Sequence, residues 1–134
     1  MRVAVVGASG YTGLELLRIL LRRPRFELAL VTSEQHAGEP VADAYPSLRG
    51  LVDLRFTASA DAARQAREVD LAFTALPHAA SAPTVAALRK GGGPVLDLSA
   101  DFRLHDAAVY REWYGEHAAP ELLPAAVYGL PELH

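Results

Sequence analysis

The sequence predicts an α/β domain built on a doubly wound, mainly parallel sheet, and three observations predict it. An apolar, β-branched run, Arg2–Val6, passes through a glycine-punctuated turn into Leu14–Leu21, where leucines recur at helical spacing. A second apolar run, Glu27–Thr32, follows and completes a strand–helix–strand unit of about thirty residues. Further on, Asp70–Leu76 is apolar on both faces, as a central parallel strand should be, and Val95–Ser99 reads as the next one.

Taken in order, the first helix carries Leu14, Leu17, Leu20 and Leu21 on one stripe, widened by Leu16 and Ile19, so much of its surface is expected to be buried. Arg22 and Arg23 suit its C-terminal dipole end, and Pro24 stops it. Residues 33–51 are rich in Gly, Pro and polar side chains without a sustained period, which predicts a long loop with room for a turn of helix. Leu54–Thr57 reads as a weak strand, and Ser59 or Asp61 is placed to cap a short helix over Ala62–Glu68. Pro77 ends the strand Asp70–Leu76, and the helix Ala82–Lys90 follows, closed by Gly91-Gly92-Gly93. Asp106–Tyr114 reads as a helix whose Tyr110, Trp113 and Tyr114 belong to core or interface. The remainder is proline-punctuated, with one expected edge strand at Ala126–Tyr128.

The first turn carries the chemistry. In Gly7-Ala8-Ser9-Gly10-Tyr11-Thr12-Gly13, Gly7 can take the tight turn, Gly10 leaves room for a pyrophosphate to approach the backbone, and Gly13 permits close helix packing. The free amides and positive end of the helix then face the phosphates, as in a Rossmann-type dinucleotide site. The second strand ends in Thr32-Ser33-Glu34, where a dinucleotide fold discriminates the ribose. The two hydroxyls favour a 2′-phosphate; the carboxylate favours a free 2′-hydroxyl.

Other candidates sit at the C-terminal ends of the later strands, where open α/β sheets bind ligands. His78, beside Pro77, is either an acid–base group or a hydrogen-bonded structural residue. Arg103 either pairs with nearby Asp101 or presents its planar fork to an anionic substrate group.

Composition narrows the function classes. At 134 residues, 51% hydrophobic and 22% charged, the chain is one ordinary globular domain's worth, and its net charge of −3 offers no basic face for nucleic acid. No apolar run approaches the ~20 residues a membrane-spanning helix needs, and Met1 opens directly into a strand, so the cytoplasm is the expected location. With no cysteine, the chain supplies neither a disulfide, nor a thiolate metal site, nor a thiol nucleophile.

Five stretches together resemble the N-terminal half of the N-acetyl-γ-glutamyl-phosphate reductase family of arginine biosynthesis: Gly7–Gly13, Ala37-Gly38, Ala75-Leu76-Pro77-His78, Asp97-Leu98-Ser99-Ala100-Asp101-Phe102-Arg103 and Val127–Leu133. The aminoadipyl-phosphate reductase of bacterial lysine biosynthesis, which works on a carrier protein, is similar at the same places. The resemblance implies NADPH-dependent reduction of an acyl phosphate to an aldehyde, through a cysteine thioester with a histidine assisting proton transfer. Both of those residues fall beyond His134 in the family's pattern, so no catalytic residue is expected in this chain, nor turnover from it alone; a non-catalytic NADP(H)-sensing module is the alternative.

By the same resemblance, Gly7, Ser9, Gly10, Tyr11, Thr12 and Gly13 match the pyrophosphate turn, Thr32 and Ser33 the ribose-phosphate end, Pro77 and His78 the nicotinamide half, and Arg103 the position that holds the substrate phosphate. Glu34 stands where many relatives have an arginine, a departure that bears on the preference for NADP. Residues 1–114 are expected to form the core and 115–134 a segment leading toward a second, catalytic domain. Where that domain would pack, an exposed apolar patch of roughly several hundred Å² and self-association into a homo-oligomer are expected.

Overall fold

Strands β1 (Arg2–Val6), β2 (Glu27–Val31), β3 (Leu71–Thr74) and β4 (Val95–Asp97) form one parallel sheet in the order β2-β1-β3-β4. The structure is a computed structural model that describes residues 1–130 and Glu132; Pro131 and Leu133, from the last matched stretch, and His134 lie outside the described residues. The chain starts in the middle of the sheet, steps to one edge, then crosses back to build the other half. The connections between neighbouring strands therefore reverse direction between β1 and β3, and the ends of these two strands open a crevice there.

The double winding follows from side-chain alternation along β1. Val3 and Val5 face one layer with Leu17 and Leu20 of α1 (Tyr11–Leu21), joined by Val31 and Phe73. Ala4 and Val6 face the opposite layer with Leu30, Ala72, Ala62 of α3 (Ala62–Gln65) and Leu88 of α4 (Ser81–Arg89). Both faces of the strand are apolar because both are covered.

Several boundaries differ from expectation. α1 begins at Tyr11, three residues before Leu14, because Gly13 fits inside the first turn; Gly10 is its N-cap. The long loop holds a short helix, α2 (Val41–Ala44). Leu54–Thr57 forms no strand: only isolated bridges, Thr32 with Thr57 and Pro40 with Arg55, tie it down. Neither Ser59 nor Asp61 caps the helix near Ala62 through its side chain; Asp61 pairs with Arg64 on the surface. Ala126–Tyr128 is likewise not a strand, and Val127 is 90% exposed. Past residue 114, His117, Ala119 and Leu123 are buried. Helix α5 (Ala107–Tyr114) is capped by Asp106, which accepts the amides of Ala108 and Val109. Its aromatics divide: Tyr110 is buried, whereas Trp113 is 77% exposed.

Candidate dinucleotide and anion site

The glycine turn is shaped by its neighbours. Gly7 has φ +81°, and a Cβ there would lie 2.8 Å from the Ala75 carbonyl oxygen, so only glycine lets the end of β1 lie against the end of β3. The Gly7 amide donates to Thr32 Oγ1 at 3.1 Å and the Ala8 amide to the Thr32 carbonyl at 2.8 Å. On the other side Tyr45 donates its hydroxyl to the Ser9 carbonyl at 2.5 Å. The turn is thus fixed before any ligand arrives.

At its mouth the turn is open. Among the described residues no side chain caps α1, and a Cβ at Gly10 would meet no atom within 4 Å. The first-turn amides therefore remain available to an anion at the positive end of an eleven-residue helix. This is the chemistry a pyrophosphate requires: backbone donors, a favourable dipole and no side chain in the approach. Tyr11, 97% exposed, and Thr12 flank the opening, and Ser9 is half-buried beneath it.

Thr32 and Ser33 follow the end of β2 and lie beneath the turn. Both are buried, and both hydroxyls are engaged internally: Thr32 Oγ1 with the Gly7 amide and Ser59 Oγ, Ser33 Oγ with Ser9 Oγ at 2.8 Å and the His36 amide. They brace the turn from below. Glu34, by contrast, is exposed at the same strand end, with Oε1 accepting the Ser59 amide at 2.7 Å.

Across the crevice, Pro77 and His78 are exposed in the loop between β3 and α4, and the His78 ring lies 5.6 Å from that of Tyr114. Arg103 does not pair with Asp101. It donates to the Tyr114 hydroxyl at 2.8 Å and is otherwise exposed, so most of its donors face solvent. Asp97 at the end of β4 is held by the hydroxyls of Thr74, Ser81 and Ser99 at 2.7, 2.6 and 2.6 Å.

Sequence reasoning missed the buried network behind this edge. Asp101 is fully buried and its carboxylate accepts the Tyr110 hydroxyl. His117 accepts the Ala119 amide on Nδ1, so Nε2 carries the proton and donates to the Asp101 carbonyl at 2.8 Å. Burial, then the hydrogen bond from its hydroxyl to Asp101 and the carboxylate's charge, push the Tyr110 phenol up to about 12. Its only local signal was an Asp just past a strand end. Among the described residues no cluster of His, Cys, Asp and Glu could hold a metal ion, and no helix is long and apolar enough to cross a membrane.

The chain is similar to known proteins over its whole length. The profile of the semialdehyde dehydrogenase NAD-binding domain family matches residues 2–134. The N-acetyl-gamma-glutamyl-phosphate reductase of Syntrophobacter fumaroxidans is 55% identical over 134 residues, which is all of this chain and 39% of that protein. A Cenarchaeum symbiosum protein named as a LysW-L-2-aminoadipate/LysW-L-glutamate phosphate reductase is 51% identical, again over the full chain and 38% of the relative. The chain thus spans about two-fifths of the length of these curated relatives. Among solved structures, aspartate semialdehyde dehydrogenase with NADP from Candida albicans superposes with a TM-score of 0.67 at 20% identity, covering 79% of this chain and 31% of that one, a likeness of fold.

Proposed function

The chain belongs to the semialdehyde dehydrogenase NAD-binding domain family, and from that premise we propose that it is the dinucleotide-binding part of an acyl-phosphate reductase. The reaction is reduction of N-acetyl-γ-glutamyl phosphate to the semialdehyde with NADPH, releasing phosphate. One observation carries the reading: the uncapped N-terminus of α1, open at Gly10, lies where the ends of β1 and β3 part. The bound coenzyme would supply hydride.

This chain's residues do the holding. The turn Gly7–Gly13, with Ser9, Gly10, Tyr11 and Thr12 at its mouth, takes the pyrophosphate on backbone donors. Thr32 and Ser33 stiffen that turn from inside, and Glu34 faces the adenosine ribose. Pro77 and His78 border the nicotinamide half. Arg103, steadied by Tyr114, offers its remaining donors to the substrate phosphate. The nucleophile is assigned to the portion of the relatives that this chain does not span, because the chain has no cysteine. In this reading residues 115–134 lead toward that portion, and exposed Leu96, Leu98 and Val127 support packing or self-association along the β4 edge. The Cenarchaeum relative favours a second substrate, an aminoadipyl phosphate on a carrier protein, handled by the same site.

Calorimetric titration with NADPH, paired with a turnover assay on N-acetyl-γ-glutamyl phosphate, tests the reading. Binding without turnover is expected; absence of binding overturns the coenzyme role, and turnover by the chain alone overturns the assignment of the nucleophile.

A further inference from the structure

We propose that Asp101 is a positioning residue for the nicotinamide half of the site: its buried carboxylate holds the loop that carries His78 in the shape that borders the coenzyme. The proposal rests on the dinucleotide reading above.

The carboxylate reaches across from the segment after β4. One oxygen accepts the Ala79 amide at 2.8 Å and the Tyr110 hydroxyl at 2.8 Å; the other accepts the Ala82 amide at 2.8 Å. Asp101 thereby does what the N-cap position of α4 cannot, since Ala80 has no side-chain acceptor. It also does more than cap. Ala79 lies ahead of the helix and, at φ 65°, is the one non-glycine among the described residues in the left-handed region. A side chain there is strained, so the conformation persists only if its surroundings impose it. The bond from its amide to Asp101 holds it, one residue from His78, beside the turn bond from the Ala80 amide to the Pro77 carbonyl at 3.2 Å.

Asp101 itself has little freedom to follow the loop. Its amide donates to Ser99 Oγ at 3.0 Å, and its carbonyl receives His117 Nε2 at 2.8 Å. Tyr110, bound to the same carboxylate, stacks on Tyr114 with centroids 5.0 Å apart, and Tyr114 in turn meets both His78 and Arg103. A single buried anion thus anchors the loop from beneath and the aromatic support of His78 from the side.

A purely structural cap and a positioning residue predict different ligand responses. Asp101→Asn keeps the shape but turns an amide donor toward one of the amides it now accepts. Titrate NADPH and 2′-phospho-ADP-ribose, which lacks only the nicotinamide, into wild-type chain and variant, following NADPH also by nicotinamide fluorescence. The expected result is an affinity loss of about tenfold for NADPH with affinity for the fragment held within about twofold. Equal loss for both ligands, or no loss for either, overturns the proposal. A wild-type chain that binds neither ligand removes the dinucleotide site itself and the inference with it. Tyr110→Phe, which keeps the ring stack and deletes one hydrogen bond to the carboxylate, is the second variant. It should show the same selectivity at smaller size, and its result decides the question if Asp101→Asn does not fold.

Discussion

Gly13 and Ala8 meet backbone to backbone. A Cβ at position 13 would lie 2.6 Å from the Ala8 Cα and 2.6 Å from the Gly7 carbonyl oxygen, whereas one at position 10 would meet nothing within 4 Å. Two glycines of one turn therefore serve different ends. Gly13 lets the first turn of α1 seat against the strand end; Gly10 leaves the mouth open.

The difference is measurable in stability. Gly13→Ala drives a methyl group into backbone that cannot move aside without unseating the turn, and should cost roughly 1–3 kcal/mol in urea denaturation. Gly10→Ala, at φ −79° and ψ 171°, adopts an ordinary extended N-cap conformation and should cost about 1 kcal/mol or less. Equal losses for the two would contradict the distinction.

Thr32→Val tests the brace beneath the turn. The substitution keeps shape and burial but leaves the Gly7 amide without the oxygen that accepts it at 3.1 Å. A loss of about 1–3 kcal/mol is expected, with weaker NADPH binding through the loosened turn. Unchanged stability would mean that the hydroxyl does not hold the turn.

Glu34→Gln separates charge from hydrogen bonding at the ribose end. The amide oxygen can still accept the Ser59 amide, bonded at 2.7 Å in the native chain, while the negative charge is gone. The ratio of NADPH to NADH affinity should rise about fivefold, because a carboxylate opposes a 2′-phosphate. An unchanged ratio in paired titrations would place Glu34 away from the ribose.

Alkaline unfolding reports on the Asp101–Tyr110 pair. The folded chain holds the Tyr110 phenol near about 12, above its ordinary value of 10.0. The folded state then keeps a proton that the unfolded chain releases, so stability is full below about pH 10 and falls as pH rises toward 12. Burial raises Tyr45 in the same direction. Tyr110→Phe should make the decline shallower when melting is followed from about pH 9 to 12; identical slopes would remove the coupling.

Much of this was legible in the chain because its signals are local. The β-branched run before Gly7, the leucine stripe of α1 and the consecutive apolar residues of β3 each encode their own element, and the alternation of Val3 and Val5 against Ala4 and Val6 encodes the two layers. What could not be read was pairing across long separations. Thr32 and Ser33 offer hydroxyls at a strand end, and only the fold reveals that Gly7, Ser9 and Ser59 have taken them. Asp101 and Arg103 stand two apart with opposite charges, yet one serves amides some twenty residues upstream and the other a tyrosine eleven residues on. Leu54–Thr57 had strand-forming residues, yet it meets the free edge of β2 only at Thr57, whose amide donates to the Val31 carbonyl, while Arg55 bridges Pro40 instead.

The most direct test of the account is a calorimetric titration of the wild-type chain and Gly10→Val with NADPH, run beside a melting curve for each. The account predicts saturable, one-to-one binding to the wild type and its loss in Gly10→Val, with the variant still melting cooperatively because a side chain at position 10 projects into open space. Undiminished binding by Gly10→Val, or no binding by the wild-type chain, would contradict it.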